Sequence, residues 1–220
     1  MASNSERDLN LKRYEAEASS LPRMPDFPEL EVFSPFGPYI CRTRMPDSLL
    51  NRVNAMADSC CDENRSSELV LDRAQCTEGD RHSLVRFAAS FVSDYLAALN
   101  QTKIAGVDFE AFWIVNQLAE TTSPTHFHST PLAGVVYLRT PQIDETNQQK
   151  SYMLGRKAGY INFLWGGKQQ HSRSIASFKP AVGDAYLFPG WLLHVAEPFA
   201  GTGLRRSLAF NASPKLGSVT

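Results

Sequence analysis

The sequence predicts a mostly-β domain braced by two helices. Three observations carry that prediction. After Gly106 the chain breaks into short β-rich runs, "FEAFWIVNQL", "LAGVVYLRT", "GYINFLWGG", "DAYLFPGWLLHV" and "RRSLAFNAS", separated by turn-forming residues. Before Gly106, two segments repeat apolar residues at three and four, the period of an amphipathic helix. Two helices alone would have nothing to bury their apolar faces against, so helices and strands belong to one core. A length of 220 residues suits a single compact domain.

The elements follow in order. Residues 1–25 are polar without a sustained apolar period and are expected to form an N-terminal arm, leaving 26–220 as the domain. Pro22, Pro25, Pro28, Pro35 and Pro38 forbid regular helix and favour extended chain, with a first strand around Glu31 to Phe33. In "MPDSLLNRVNAMADSC", Leu49, Leu50, Val53 and Met56 line one face of a helix near 47–58, with Asp47 or Ser48 able to cap it. Leu84, Phe87, Ala88, Phe91, Tyr95 and Leu99 predict a longer helix over 82–99. Neither helix carries visible chemistry.

Composition excludes several classes. The chain is 43% hydrophobic and 20% charged with a net charge of -1, which argues against disorder and against a nucleic-acid partner. No apolar run approaches the roughly 20 residues of a membrane helix, and "MASNSERDLNLKRYEAEASS" lacks a signal-peptide layout, so a soluble, cytoplasmic protein is expected. Cys41, Cys60, Cys61 and Cys76 have no CxxC spacing and no histidine cluster beside them; free thiols are expected rather than zinc ligands.

Chemistry gathers in the second half. On extended chain, residues two apart point to one side, so His126 and His128 of "THFHSTP" would present both imidazoles to the same face. His194 in "FPGWLLHVAEP" is a candidate third ligand. In "RRSLAFN", Arg205, Ser207, Ala209 and Asn211 share one strand face, where a cation and a hydroxyl can hold a carboxylate by charge-assisted hydrogen bonds. Arg206 then faces the other way.

These features together resemble the iron(II)- and 2-oxoglutarate-dependent oxygenases, in which an HxD or HxE pair, a distant histidine and an Arg, often as RxS, stand on a double-stranded β-helix. Within that superfamily the likeness is closest to 2OG-Fe(II) oxygenases with a strand Asn, then HxH, then an "SGVYYL"-like strand, then "FPxWLxHxVxPF" and "RxSxxFN". This chain has Asn116, "HFH", "LAGVVYL", "FPGWLLHVAEPF" and "RRSLAFN" in that order, a likeness covering about residues 105–213. It departs at His128, where better-known members place a carboxylate, and in "LAETTSPTH", which lacks the glycine associated with the loop before HxH.

The resemblance implies a jelly-roll, cupin-like barrel and conversion of 2-oxoglutarate to succinate and CO2 coupled to hydroxylation of a substrate, protein or small molecule. It implies iron ligation by His126, His128 and His194, and cosubstrate contacts from Arg205, Ser207 and Asn116. His128 also fits a supporting role beside His126, and a backbone carbonyl would satisfy Asn116 equally well. Asp184 reads as a turn residue, Trp165 and Trp191 as wall and core, and His82 and His171 as histidines without a site. The alternative is a cupin-like three-histidine metalloprotein, a dioxygenase or a binding module, that does not use 2-oxoglutarate; Arg205 and Ser207 discriminate, since such a protein needs no carboxylate anchor.

Overall fold

The computed structural model describes residues 28–33, 37–71, 76–99, 104–121, 123–144, 157–167, 170 and 173–217. The expected arm over 1–25 and His171 lie outside these residues.

A seven-stranded antiparallel sheet dominates. Across it, in order, stand β1 (Glu31–Phe33), β2 (Ile40–Arg44), β9 (Asp184–Pro189), β5 (Leu132–Arg139), β12 (Arg205–Leu216), β4 (Ile104–Gln117) and β3 (Ser67–Val70). A three-stranded sheet of β10 (Leu193–Ala196), β7 (Ile161–Leu164) and β8 (Ile175–Phe178) packs against its inner face, and β6 (Gln142–Ile143) pairs with β11 (Gly201–Thr202). Two helices, α1 (Asp47–Cys60) and α2 (Glu78–Ala98), cover the outer face.

The large sheet is therefore buried on both sides, which explains why "LAGVVYL" is apolar at nearly every position instead of alternating. On β5, Leu132, Val136 and Leu138 face the helices with Val53, Phe87 and Phe91. Ala133 and Tyr137 face inward, against Ile161 and Phe163 of the small sheet. Burial of each large apolar side chain contributes about 1.5–3 kcal/mol, and Phe109, Phe112 and Phe210 extend the outer core as a ring cluster with centroids 5.3–5.9 Å apart.

Both helices form where the apolar period placed them, with shifted ends. α1 runs two residues past 58, and neither Asp47 nor Ser48 caps it: Pro46 occupies the N-cap, with no side-chain hydrogen bond there. Proline supplies a fixed φ at that boundary in place of a side-chain acceptor. α2 starts four residues before His82, because Thr77 caps it by accepting a 3.1 Å bond from Asp80 N–H. Asp184 does serve its turn, accepting from Ala181 N–H at 2.9 Å. Trp165 and Trp191 are not core residues: their rings meet at a tilt with centroids 5.0 Å apart, and they are 45% and 49% exposed. The four cysteines are free. No described helix is long and apolar enough to cross a membrane.

Candidate functional site

Between β4 and β5 the chain crosses the barrel mouth, and there His126 forms a two-bond bridge to His194 at the start of β10, each backbone N–H donating to the other's carbonyl at 3.0 Å. His128 N–H donates to Gly190 O at 2.7 Å. These bonds hold the HFH segment extended, so both of its imidazoles turn inward while Phe127 turns out, 63% exposed. One ring nitrogen from each of His126, His128 and His194 lies within 4.8 Å of the other two.

The rings are oriented by the backbone. His126 Nδ1 meets Pro124 O at 2.9 Å, and His194 Nδ1 meets Leu192 O at 2.8 Å. A carbonyl can only accept, so each Nδ1 carries the proton and each Nε2 offers its lone pair. The supporting contact to His126 thus comes from Pro124, and His128 is free to point into the cluster. Burial holds His128 below its usual range, helped by the nearby His126. His194 is pushed down to about 3 by burial, with the Leu192 bond opposing and the two other histidines adding to the shift. Phe188 and Phe163 pack on His194 with centroids 4.7 and 6.2 Å away, which is the source of that burial. Three imidazoles with converging ring nitrogens fit a divalent first-row transition metal.

Gly190 makes the approach possible. A Cβ there would fall 2.0 Å from Thr130 O, so a side chain would push away the loop that carries His128.

Arg205 and Ser207 lie on the inward face of β12, with Ser207 opposite Val115 of β4 and Tyr137 of β5. Arg205 is buried and spans the two sheets: its Nη1 donates to Glu197 O at 2.6 Å, and its Nη2 to Ala196 O at 3.1 Å. Its Nε and Nη2 both donate to Gln117 Oε1, at 3.0 and 2.8 Å. Burial pushes the guanidinium pKa down, while Tyr137 and Glu197 push it up. Burial lifts the Tyr137 phenol to about 12, so it stays protonated. A cavity of about 110 Å³ touches Arg205, with Lys179 on its wall.

One expectation needs correction. Asn116 does not face the barrel interior: it stands opposite Arg206, accepts from Arg206 Nε at 2.9 Å, and turns its amide toward Asp62 O. Strand alternation allows no other result, since Asn116 and Gln117 must point to opposite faces. The backbone carbonyl and Arg206 satisfy it, and the cosubstrate contact assigned to Asn116 falls. Arg206 faces the other way from Arg205, as its strand position predicts, and there it is fully buried under α1 and paired with Asp58. Gln117, Asp58 and Gly190 were missed. Gln117 was readable as the neighbour of Asn116 on the opposite face, had the register with Arg205 been known.

Residues 111–211 match the family model described as "Putative 2OG-Fe(II) oxygenase". The chain is similar to the 2OG-Fe(II) oxygenases across its barrel. Among solved structures, a 2OG-Fe(II) oxygenase family oxidoreductase from Burkholderia pseudomallei matches at 14% identity and TM-score 0.53, over 80% of this chain and 86% of that one. HygX from Streptomyces hygroscopicus, solved with nickel and 2-oxoglutarate bound, matches at 11% identity and TM-score 0.53, over 88% of both chains. At such identities the likeness is one of fold, and the fold is the double-stranded β-helix. No curated protein matches the sequence.

Proposed function

We propose that the protein is an iron(II)- and 2-oxoglutarate-dependent dioxygenase that hydroxylates its substrate. The observation that carries this reading is the three-histidine cluster, with two Nδ1 atoms fixed on carbonyls, set in the same barrel interior as the buried Arg205 and Ser207. HygX, solved with nickel and 2-oxoglutarate, lends support through its shared fold.

His126, His128 and His194 would hold the metal, and Arg205 with Ser207 would take the far carboxylate of 2-oxoglutarate. When bound, the pair supplies oxidative decarboxylation to succinate and CO2 coupled to C–H hydroxylation. The chain's own tasks are positioning and exclusion. Pro124 O and Leu192 O keep Nδ1 protonated and aim Nε2 at the centre. Burial keeps His128 and His194 neutral, so protons do not compete with a metal there at neutral pH. Phe163 and Phe188 keep water from the inner side of His194. Phe127, Trp191 and Leu193, all within three residues of a cluster histidine, leave an apolar rim exposed, which suits a substrate with an apolar face.

A 2-oxoglutarate-free metalloprotein is the second reading, favoured by one observation: the two-nitrogen edge of Arg205 already holds Gln117. Anaerobic reconstitution with iron(II), then titration with 2-oxoglutarate, decides. The dioxygenase reading expects a metal-to-ligand charge-transfer band that saturates with 2-oxoglutarate, and succinate on admitting air. Metal binding without that band would leave the second reading standing.

A further inference from the structure

The Nε/Nη2 edge of Arg205 is the edge that a carboxylate takes with two parallel bonds, and here both donors converge on one neutral oxygen, Gln117 Oε1. The guanidinium's other bonds go to Ala196 O and Glu197 O, also neutral, and it is buried at 1% exposure. The buried Glu197 supports the cation electrostatically, yet the Nε/Nη2 edge itself bonds an amide oxygen, where a carboxylate would add direct pairing of opposite charges. The carbonyls of Ala196 and Glu197 fix the guanidinium from the far side, so Arg205 need not move for its partner on the near edge to change. Gln117 sits on β4 directly opposite Arg205, its amide on a flexible stem that can turn away from the guanidinium.

We propose that Gln117 is a positioning residue that holds the Nε/Nη2 edge of Arg205 while the site is empty and is displaced from it by the far carboxylate of the dicarboxylate cosubstrate. Gln117 is then an internal competitor: it satisfies a buried cation in the empty barrel and lowers the affinity for 2-oxoglutarate. This rests on the 2-oxoglutarate reading above.

The two readings separate in one set of titrations. 2-Oxoglutarate is titrated calorimetrically, without oxygen, into metal-loaded parent, Gln117→Met, Gln117→Glu and Arg205→Met, after thermal melts confirm folding. Methionine keeps the volume and removes the competing oxygen, so binding tightens by about three- to tenfold. Glutamate places a permanent carboxylate on the edge, so binding weakens by about tenfold or more. A merely structural Gln117 would weaken binding in both variants, and that result, or no change in either, overturns the proposal. If Gln117→Glu fails to fold, Gln117→Met decides alone: tighter binding supports displacement, equal or weaker binding overturns it. Parent protein that binds metal but not 2-oxoglutarate would instead remove the functional reading itself. Parent binding that is lost in Arg205→Met keeps that reading in place whatever the Gln117 variants do.

Discussion

At the scale of single residues, the site is built from ring orientation more than from ligand identity. His126→Ala and His194→Ala each remove one of three converging nitrogens and are expected to abolish stoichiometric metal binding, checked by anaerobic metal titration and elemental analysis. Retention of one metal per chain in either variant would mean that the cluster is not the metal site. His128→Asp puts a carboxylate where the imidazole stands, and a carboxylate also ligates such metals, so this variant is expected to keep metal while adding a negative charge. Loss of metal in His128→Asp would count against a ligand role. The same loop holds a strained residue. Glu120 has φ 60°, the left-handed region, with its N–H bonded to Phe199 O at 2.9 Å. A non-glycine residue there costs about 1–2 kcal/mol, and part of that is returned in the unfolded chain on changing to glycine. Glu120→Gly should therefore stabilise by about 0.5–1 kcal/mol in urea unfolding. The absence of a glycine from "LAETTSPTH" was visible in the sequence; that the chain keeps a left-handed turn there without it was not.

At the scale of elements, β12 carries two adjacent arginines with opposite jobs, and alternation along one strand assigns them. Arg206, with Asn116 and Asp58, pins α1 to the sheet, and Arg139 adds a second cation on Asp58. Arg206→Ala strands the buried Asn116 and should cost about 2–4 kcal/mol of stability, whereas Arg206→Met, which fills the space, should cost clearly less. Equal, small effects in both would show that the ion pair under α1 contributes little. The sequence placed Arg206 on the face away from Arg205 but could not show α1 lying over it, because periodicity reports which face of a strand a residue takes and not what covers that face. The two helices, the strand at Glu31–Phe33 and the β-runs after Gly106 were legible because each is marked by a local apolar period. β2, β3, β6, β8 and β11 were not, since strands of two to five residues hold too little pattern and their existence depends on a partner strand. For the same reason the histidines and Arg205 were legible from motif order, while Gln117 and Asp58 needed the cross-strand register. Gly190 belongs here too: "FPGW" reads as an ordinary turn, yet its glycine lets the β9–β10 turn touch the HFH loop. Gly190→Ala is expected to weaken metal binding at least tenfold through displacement of His128, measured by chelator competition; parent-like affinity would show that the loop can give way without moving the ring.

At the scale of the whole molecule, the cluster draws its ligands from two parts of the barrel, joined by side-chain packing, by the His126–His194 backbone bridge and by Arg205. His126 and His128 lie on the crossing from β4 to β5 of the large sheet, and His194 lies on β10 of the small one. A metal held by all three ties the sheets together, and because the unfolded chain cannot present three oriented imidazoles, its binding energy adds to folding stability. A metal at about a hundred times its dissociation constant stabilises by about 2.7 kcal/mol, which for a domain of this size raises Tm by about 5–10 °C. The expected series under anaerobic calorimetry is a rise of that order for the parent with iron(II), and none for His194→Ala. A further rise on adding 2-oxoglutarate should appear in the metal-loaded parent and vanish in Arg205→Met. The apolar faces of α1 and α2 sit on the opposite side of the large sheet from the cluster, so a change there, such as Val53→Ala, should lower every Tm in the series by a similar amount and leave the two ligand-induced increments in place. Increments that collapsed together with the base Tm in Val53→Ala would show that the helical face and the barrel interior are one coupled unit, in which the outer core sets the geometry of the histidines.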